Sequence, residues 1–246
     1  MIIDSVLQQR SKGRSIPLWT ILLTMILAAL FSSLGVWQLG RAEAKRAIFA
    51  AYAQGTSTAT REGLDGVSTG EQRYQLLRLQ GHYDSDHQLL LDNISHAGQP
   101  GYHVLTPFIT TAGSVLVNRG WVAANGDRRL LPNIDVSRRA RVLTGRVDRL
   151  PQPGLRLGTA TDYTGLPWPR RLLFPTTAEI AAQTGYPLRD FQLLLNPGEA
   201  EGFLRDWQPA LMTPETHLGY AIQWFGLAAT VVVVFGILAW RHLRTP

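Results

Sequence analysis

The chain has 246 residues, 45% apolar and 17% charged, with a net charge of +6 and no cysteine. This composition excludes a disordered tail-like protein, and the missing thiols exclude a disulfide framework, a thiol nucleophile, an iron–sulfur site and a cysteine zinc site. The isoelectric point near 10 raises the question of nucleic acid, so the location of the charge matters.

The first fifteen residues hold Arg10, Lys12 and Arg14 against Asp4, and the last six hold Arg241 and Arg244. These tails carry +4 of the +6, leaving 19 basic and 17 acidic residues for the rest. A nucleic-acid binder concentrates its charge on the folded domain. Here the charge sits at the two ends, as in membrane proteins, and no nucleic-acid partner is expected.

From Ser15 to Gly40 no residue is charged, and the run IPLWTILLTMILAALFSSLGVWQL is mostly apolar. A helix needs roughly 20 residues to cross the hydrocarbon core. Trp19 and Trp37 bracket the run at a helical separation of about 27 Å, the placing of aromatic residues at the two membrane interfaces. The run exceeds the apolar region of a signal peptide, although Ala42-Glu43-Ala44 imitates a cleavage site, and an uncleaved helix is expected. The short N-terminal tail with its Asp4 makes a poor organellar transit peptide. Ala42–Ala53 has helical composition and is expected to extend the span outward, and Gly55–Gly70, rich in Gly, Ser and Thr, reads as a loop.

The middle of the chain reads as mostly β. Apolar or alternating segments recur at Gln75–Tyr83, Gln88–Asp92, His103–Ile109, Val115–Asn118, Arg141–Val147 and Phe191–Leu195. Turn chemistry separates them at His96–Gly101, Ala112-Gly113 and Leu150–Gly154. One helix is predicted from Thr177 to about Thr184, with Thr176 and Glu179 spaced as a capping box and Gly185 as the stop.

A second uncharged run covers Thr216 to Trp240, with Tyr220 and Trp240 at its edges. The short basic tails place both termini on the cytoplasmic side, and a loop of about 175 residues crosses regardless of its own charge. The expected organisation is therefore a cytoplasmic tail over 1–15, a transmembrane helix over 16–40, a periplasmic domain over 41–215, a second transmembrane helix over 216–240 and a cytoplasmic tail over 241–246. The fold class is membrane α+β, with two transmembrane helices flanking a mostly β domain that carries a few short helices. The lipid bilayer of a bacterial inner membrane is the first partner this implies.

Catalytic patterns are absent: the sequence has no Walker loop, GxSxG elbow or HExxH. The densest titratable cluster is His82-Tyr-Asp84-Ser-Asp86-His87. In a strand His82, Asp84 and Asp86 share one face, which suits a metal, whereas a polar hairpin turn explains the same residues more simply. Arg138, Arg139, Arg141, Arg146 and Arg149 read as a solvated strand face. On the second span His217, Tyr220, Ala221, Trp224 and Ala228 form one helical stripe, and Gly219, Gln223, Gly226 and Thr230 form another. The second stripe, small and polar, is expected to pack on Ala28, Ser32 and Gly35 of the first span, with Gln223 bonding across the contact. His217 is either a haem-iron ligand or an interfacial histidine at the headgroups. Arg41, one turn beyond Trp37-Gln38, is either a partner for a haem propionate or an ordinary flanking cation.

Three blocks in this layout resemble the surfeit locus protein 1 family, the Shy-type cytochrome c oxidase assembly factors. The first is Leu34-Gly-Val-Trp37-Gln38-Leu-Gly-Arg41 with Lys45, similar to the family's LGxWQxxRxxxK. The second is Gly98-Gln-Pro-Gly101-Tyr102, then Thr106-Pro107 and Val117-Asn118-Arg119-Gly120-Trp121-Val122. The third is His217 with Tyr220-Ala221 and Gln223-Trp224-Phe225. The resemblance implies a non-enzymatic inner-membrane factor for the haem–copper oxidase. Its partners are the oxidase catalytic subunit and other assembly factors, and its role is to assist placement of haem a; the alternative is a cofactor-free scaffold for nascent subunits. Some bacterial members are reported to bind haem a through a histidine of the second span, which by position is His217. With haem a as the transient cofactor, the implied contacts are His217 on the iron, Trp224 and Tyr220 beside it, and Arg41 or Arg119 near the propionates. Arg119 has a second reading, as an anchor for the NRGW turn. No residue is carried over between Pro151 and Arg205.

Overall fold

The computed structural model describes residues 15–70, 72–152, 166–208 and 212–244, leaving aside the side chains of residues 56 and 57. Arg10, Lys12 and Arg14 of the N-terminal tail and Gly154 of the expected turn lie outside the described residues. The chain divides into two compact units, residues 1–49 with 210–246, and residues 50–209.

The first unit is built on two long helices. α1 runs Leu18–Ser57 and α3 runs Pro214–Arg244, about 60 and 46 Å at the helical rise, each longer than the hydrocarbon core is thick. α1 passes straight through Ala42–Ala53, as expected, because that stretch is rich in Ala, Glu, Lys and Arg and contains neither Gly nor Pro. α3 begins at a helix-start signal: the Thr213 hydroxyl accepts from the Thr216 amide at 3.4 Å, and Pro214 occupies the first helical position. Leu22, Ile26 and Val36 of α1 and Ile222, Val233 and Leu238 of α3 are all exposed. Such apolar surface suits lipid and not water, and both helices fit a membrane protein.

Among the described residues, the second unit is an eight-stranded sheet with one short helix. Its strands are β1 (Arg61–Glu62), β2 (Leu76–Tyr83), β3 (Leu89–His96), β4 (Gln99–Thr110), β5 (Gly113–Ala123), β6 (Arg141–Asp148), β7 (Arg170–Leu172) and β8 (Leu188–Leu195). β2, β6, β8, β5 and β4 pair in that order, and β4 pairs back to β2, so five strands close a barrel. The closure depends on the twelve residues of β4. Its first half pairs with β3 from Gln99 to Leu105, and its second half pairs with β2 at Phe108 and Ile109. The barrel interior is filled by Leu77, Leu79, Tyr83, Phe108, Val115, Val117, Leu143, Val147, Phe191, Leu193 and Leu195. A second core on the outer side joins Leu89, Leu91, Leu105, Leu116 and Leu172 to Ile180. Ile180 belongs to the short helix α2 (Thr177–Thr184), which has the predicted capping box, with Glu179 N–H donating to Thr176 at 3.1 Å and Thr176 N–H to Glu179 at 2.7 Å. Gly185 ends it at φ +79°.

All six predicted strands form, and most run longer than their apolar cores. The expected turn at His96–Gly101 narrows to Ala97 and Gly98, both at positive φ, the geometry of a two-residue hairpin. Gln99, Pro100 and Gly101 instead pair with His96, Ser95 and Ile94. The expected loop Gly55–Gly70 contains the end of α1 and β1, and it inserts Leu64 and Val67 into the barrel core. β1 and β7 are too short to show a period and add to the sheet in parallel.

His103 on β4 is largely buried, its Nδ1 3.3 Å from the Asn118 amide nitrogen and its ring edge-on to Trp207. Burial, helped by His96, pulls its pKa down to about 4. The unfolded chain, with an ordinary histidine, takes up a proton near pH 6.5 that the folded chain refuses until about pH 4. Stability from this group is therefore whole above pH 6.5 and lost as the pH falls toward 4. A His103→Gln variant should flatten the pH dependence of the unfolding free energy, measured by urea titration, across that window by about 2–3 kcal/mol at its acid end.

Candidate functional site

α1 and α3 meet along one face of each. On α1 this face is Ala28, Phe31, Gly35, Gln38 and Ala42, at the alternating three- and four-residue spacing of a helix seam. On α3 it is His217, Ala221, Trp224 and Ala228. Phe31 stacks on Trp224 with ring centres 5.8 Å apart. A Cβ on Gly35 would stand 2.7 Å from the Phe225 ring, so Gly35 makes room for that aromatic residue.

The expectation for α3 is corrected here. Gly219, Gln223, Gly226 and Thr230 face away from α1, and a Cβ on Gly219 or Gly226 meets nothing within 4 Å. Of the small residues of α1, Gly35 does pack, but against the Phe225 ring. Large side chains set into small ones fill space that two small faces would leave empty. Gln38, rather than Gln223, makes the polar bond across the contact.

That bond is the chemical centre of the helix pair. Gln38 is 9% exposed and His217 8%, and His217 Nδ1 lies 2.8 Å from Gln38 Oε1. An amide oxygen only accepts, so Nδ1 is the donor in this bond, and in a neutral ring the lone pair then lies on Nε2. His217 Nε2 is buried and has no hydrogen-bond partner among the described residues. Leaving a buried acceptor unsatisfied costs on the order of 1–3 kcal/mol. The helix start at Thr213-Pro214 puts His217 in the first turn of α3, where its N–H closes on the Thr213 carbonyl at 3.4 Å.

The remaining candidates lie in different surroundings. Trp224 is half-buried and stacked on Phe31, whereas Tyr220 is 43% exposed. Arg41 is exposed on α1, three residues past Gln38.

Arg119 belongs to the barrel unit and is 1% exposed. Its Nε donates to the Glu201 carbonyl at 2.8 Å, and its Nη1 to Gln88 Oε1 at 2.9 Å and the Ile134 carbonyl at 2.8 Å. Its Nη2 reaches the Asp135 carbonyl at 3.2 Å. Burial lowers its pKa while Tyr83 and Glu201 oppose the shift, and the group stays a cation. The neighbours in the NRGW block serve the same joint. Gly120, at φ +116°, lets the Leu204 carbonyl approach to where a Cβ would stand 2.7 Å away, and Trp121 exchanges backbone bonds with Leu204. The block ties β5 to residues 201–205, which is the anchoring reading of Arg119.

The polar cluster after β2 is a turn. Asp84 accepts from the Tyr186 hydroxyl and His87 Nδ1, both at 2.6 Å, and from the Asp86 amide at 3.1 Å. Burial acts to raise its pKa, and these bonds outweigh it and lower the value. Asp86 pairs with Arg138 instead. Among the described residues no three His, Asp or Glu side chains converge as a metal would need.

The model of the SURF1 family matches residues 25–229. The chain belongs to the SURF1 family. Similar proteins are the SURF1-like protein of Rickettsia conorii, 26% identical over 230 residues and covering 90% of this chain and 91% of the relative, and that of Rickettsia bellii, 26% identical over 232 residues and covering 89% and 88%. SURF1 proteins are oxidase assembly factors, and two of the motifs that mark the family here carry identifiable structural work. The LGxWQ block supplies Gly35 and Gln38 to the helix seam, and the NRGW block supplies the Arg119 joint.

Replacing Arg119 with Ala leaves the buried Ile134 carbonyl without this donor and removes the bonds to Gln88, Asp135 and Glu201. The variant should lose about 2–4 kcal/mol of stability in urea unfolding of the detergent-solubilised chain. Arg119→Lys should recover little of the loss, because an ammonium cannot span the fork of acceptors that the guanidinium reaches.

Proposed function

We propose that this SURF1-family chain is a bacterial inner-membrane assembly factor for a haem–copper terminal oxidase, and that it assists placement of haem a in the catalytic subunit. The supporting observation is His217 Nε2, a buried, unpartnered lone pair whose ring is already oriented by a bond at its other nitrogen. A histidine held in this way would ligate a haem iron through its second nitrogen.

Haem a is an amphipathic iron macrocycle with a long isoprenoid tail, and bound here it would contribute an iron atom able to accept one imidazole nitrogen. His217 would hold that iron through Nε2. Nε2 is covered, so a metal reaches it only when neighbouring side chains part, which suits temporary holding better than permanent storage. Arg41, exposed on the helix that carries Gln38, is available to a propionate. Trp224 and Tyr220 offer aromatic surface on the helix of His217. Arg119 is bonded within the barrel unit and serves this reading through the stability of that unit.

The reading places both termini in the cytoplasm, on the strength of the basic tails, and the barrel unit in the periplasm. Its partners are the oxidase catalytic subunit and other assembly factors, and it carries out no catalysis of its own.

The test is the visible spectrum of the detergent-purified protein, expressed with haem a synthesis active, beside His217→Ala. Haem a in the wild type and its loss from the variant supports the reading. Haem in both removes His217 as the ligand. Haem in neither, with both folded, replaces the cofactor role by that of a scaffold for nascent subunits.

A further inference from the structure

We propose that Gln38 is a positioning residue: it selects the Nδ1–H tautomer of His217 and so keeps Nε2 as a lone-pair donor between the two helices. The inference deepens the proposed haem role and rests on it only for its purpose. The tautomer itself is a property of the protein without any cofactor.

A neutral imidazole carries its proton on either nitrogen, and the partner of one nitrogen decides the state of the other. Here the partner is an amide oxygen at 2.8 Å. The backbone carbonyl one turn back, on Thr213, is engaged by the His217 amide, and Gln38 is the acceptor the seam provides for Nδ1. Small residues bring the helices close enough for it. Gly35 and Ala42 flank Gln38 on α1, Ala221 follows His217 on α3, and Ala42 and Ala221 are each 1% exposed. A glutamine side chain then spans the gap without leaving the seam.

The choice of an amide has a physical reason. Second-sphere partners of ligating histidines are often carboxylates, which raise the basicity of the ring. A carboxylate buried between membrane-length helices is a costly charge. A neutral amide orients the ring equally well, leaves the pair uncharged, and makes the histidine a weaker and more easily released ligand.

The test begins with the full-length, haem-free protein in detergent, labelled with nitrogen-15 in its histidine rings. His217→Ala identifies the His217 signals among the six histidines. The wild type should show a protonated Nδ1 and an unprotonated Nε2; a wild type protonated at Nε2 overturns the proposal, whatever any variant does. Gln38→Leu should lose the Nδ1–H preference, and Gln38→Glu, which keeps an acceptor, should retain it. An unchanged tautomer in a folded Gln38→Leu also overturns the proposal. Titration with haem a then gives a second readout, in which Gln38→Leu should weaken binding about 10- to 100-fold while His217 remains the ligand. Equal affinity in wild type and Gln38→Leu overturns the positioning role. A wild type with the expected tautomer that takes up no haem a leaves Gln38 as the tautomer-setting residue and overturns the haem reading instead.

Discussion

The helix pair is organised by one neutral hydrogen bond between side chains that neither helix could bury alone. Gln38 and His217 are polar groups on segments otherwise suited to lipid, and the bond between them satisfies Gln38 Oε1 and His217 Nδ1. The bond in turn demands close helices, which requires Gly35 beneath Phe225 and alanines at positions 42 and 221. It also demands a helix register that turns His217, and not Gln223, toward α1. Thr213 and Pro214 set where that register starts. A substitution at any of these places acts on the bond, which is why residues that never touch one another share a single constraint.

The barrel unit solves a related problem with the opposite chemistry. Its sheet closes because β4 leaves β3 and joins β2 halfway along its length, and loops must then cover the rim where the strands part. Arg119 gathers those loops, binding residues 134 and 135 on one side and 201 on the other. A buried cation is acceptable there because every guanidinium nitrogen is bonded and the rings of Phe203 and Tyr83 lie within cation–π range.

Much of this was legible in the sequence where local chemistry decides the outcome. Two uncharged aromatic-edged runs, the Thr176–Glu179 box and the alternation in β2 and β6 depend on neighbours a few residues away, and each appears as expected. The misses share a different cause. Leu64 and Val67 sit in a stretch whose composition says loop, and only the closed barrel supplies a core for them to enter. Which stripe of α3 faces α1 is a contest between two helices, and the periodicity of one helix admits both answers. Gln38 stood in a visible motif, yet its partner lies 179 positions away. Its spacing to Gly35 and Ala42 was the available signal. Arg119 stands in the NRGW block with two readings open, and its burial depends on loops far along the chain.

The two buried polar centres differ in a way that separates maintenance from function. At Arg119 all three nitrogens are engaged, and nothing further is gained by adding a ligand. At His217 one nitrogen is engaged and the other is left over, in a place where an unmet acceptor is costly. Folding alone gives no reason to keep that atom there, since an apolar residue of similar size would fill the seam without the cost. In the proposed haem role, a ligand that accepts the lone pair would remove the penalty, so part of its binding energy would come from relief of that cost rather than from new contacts.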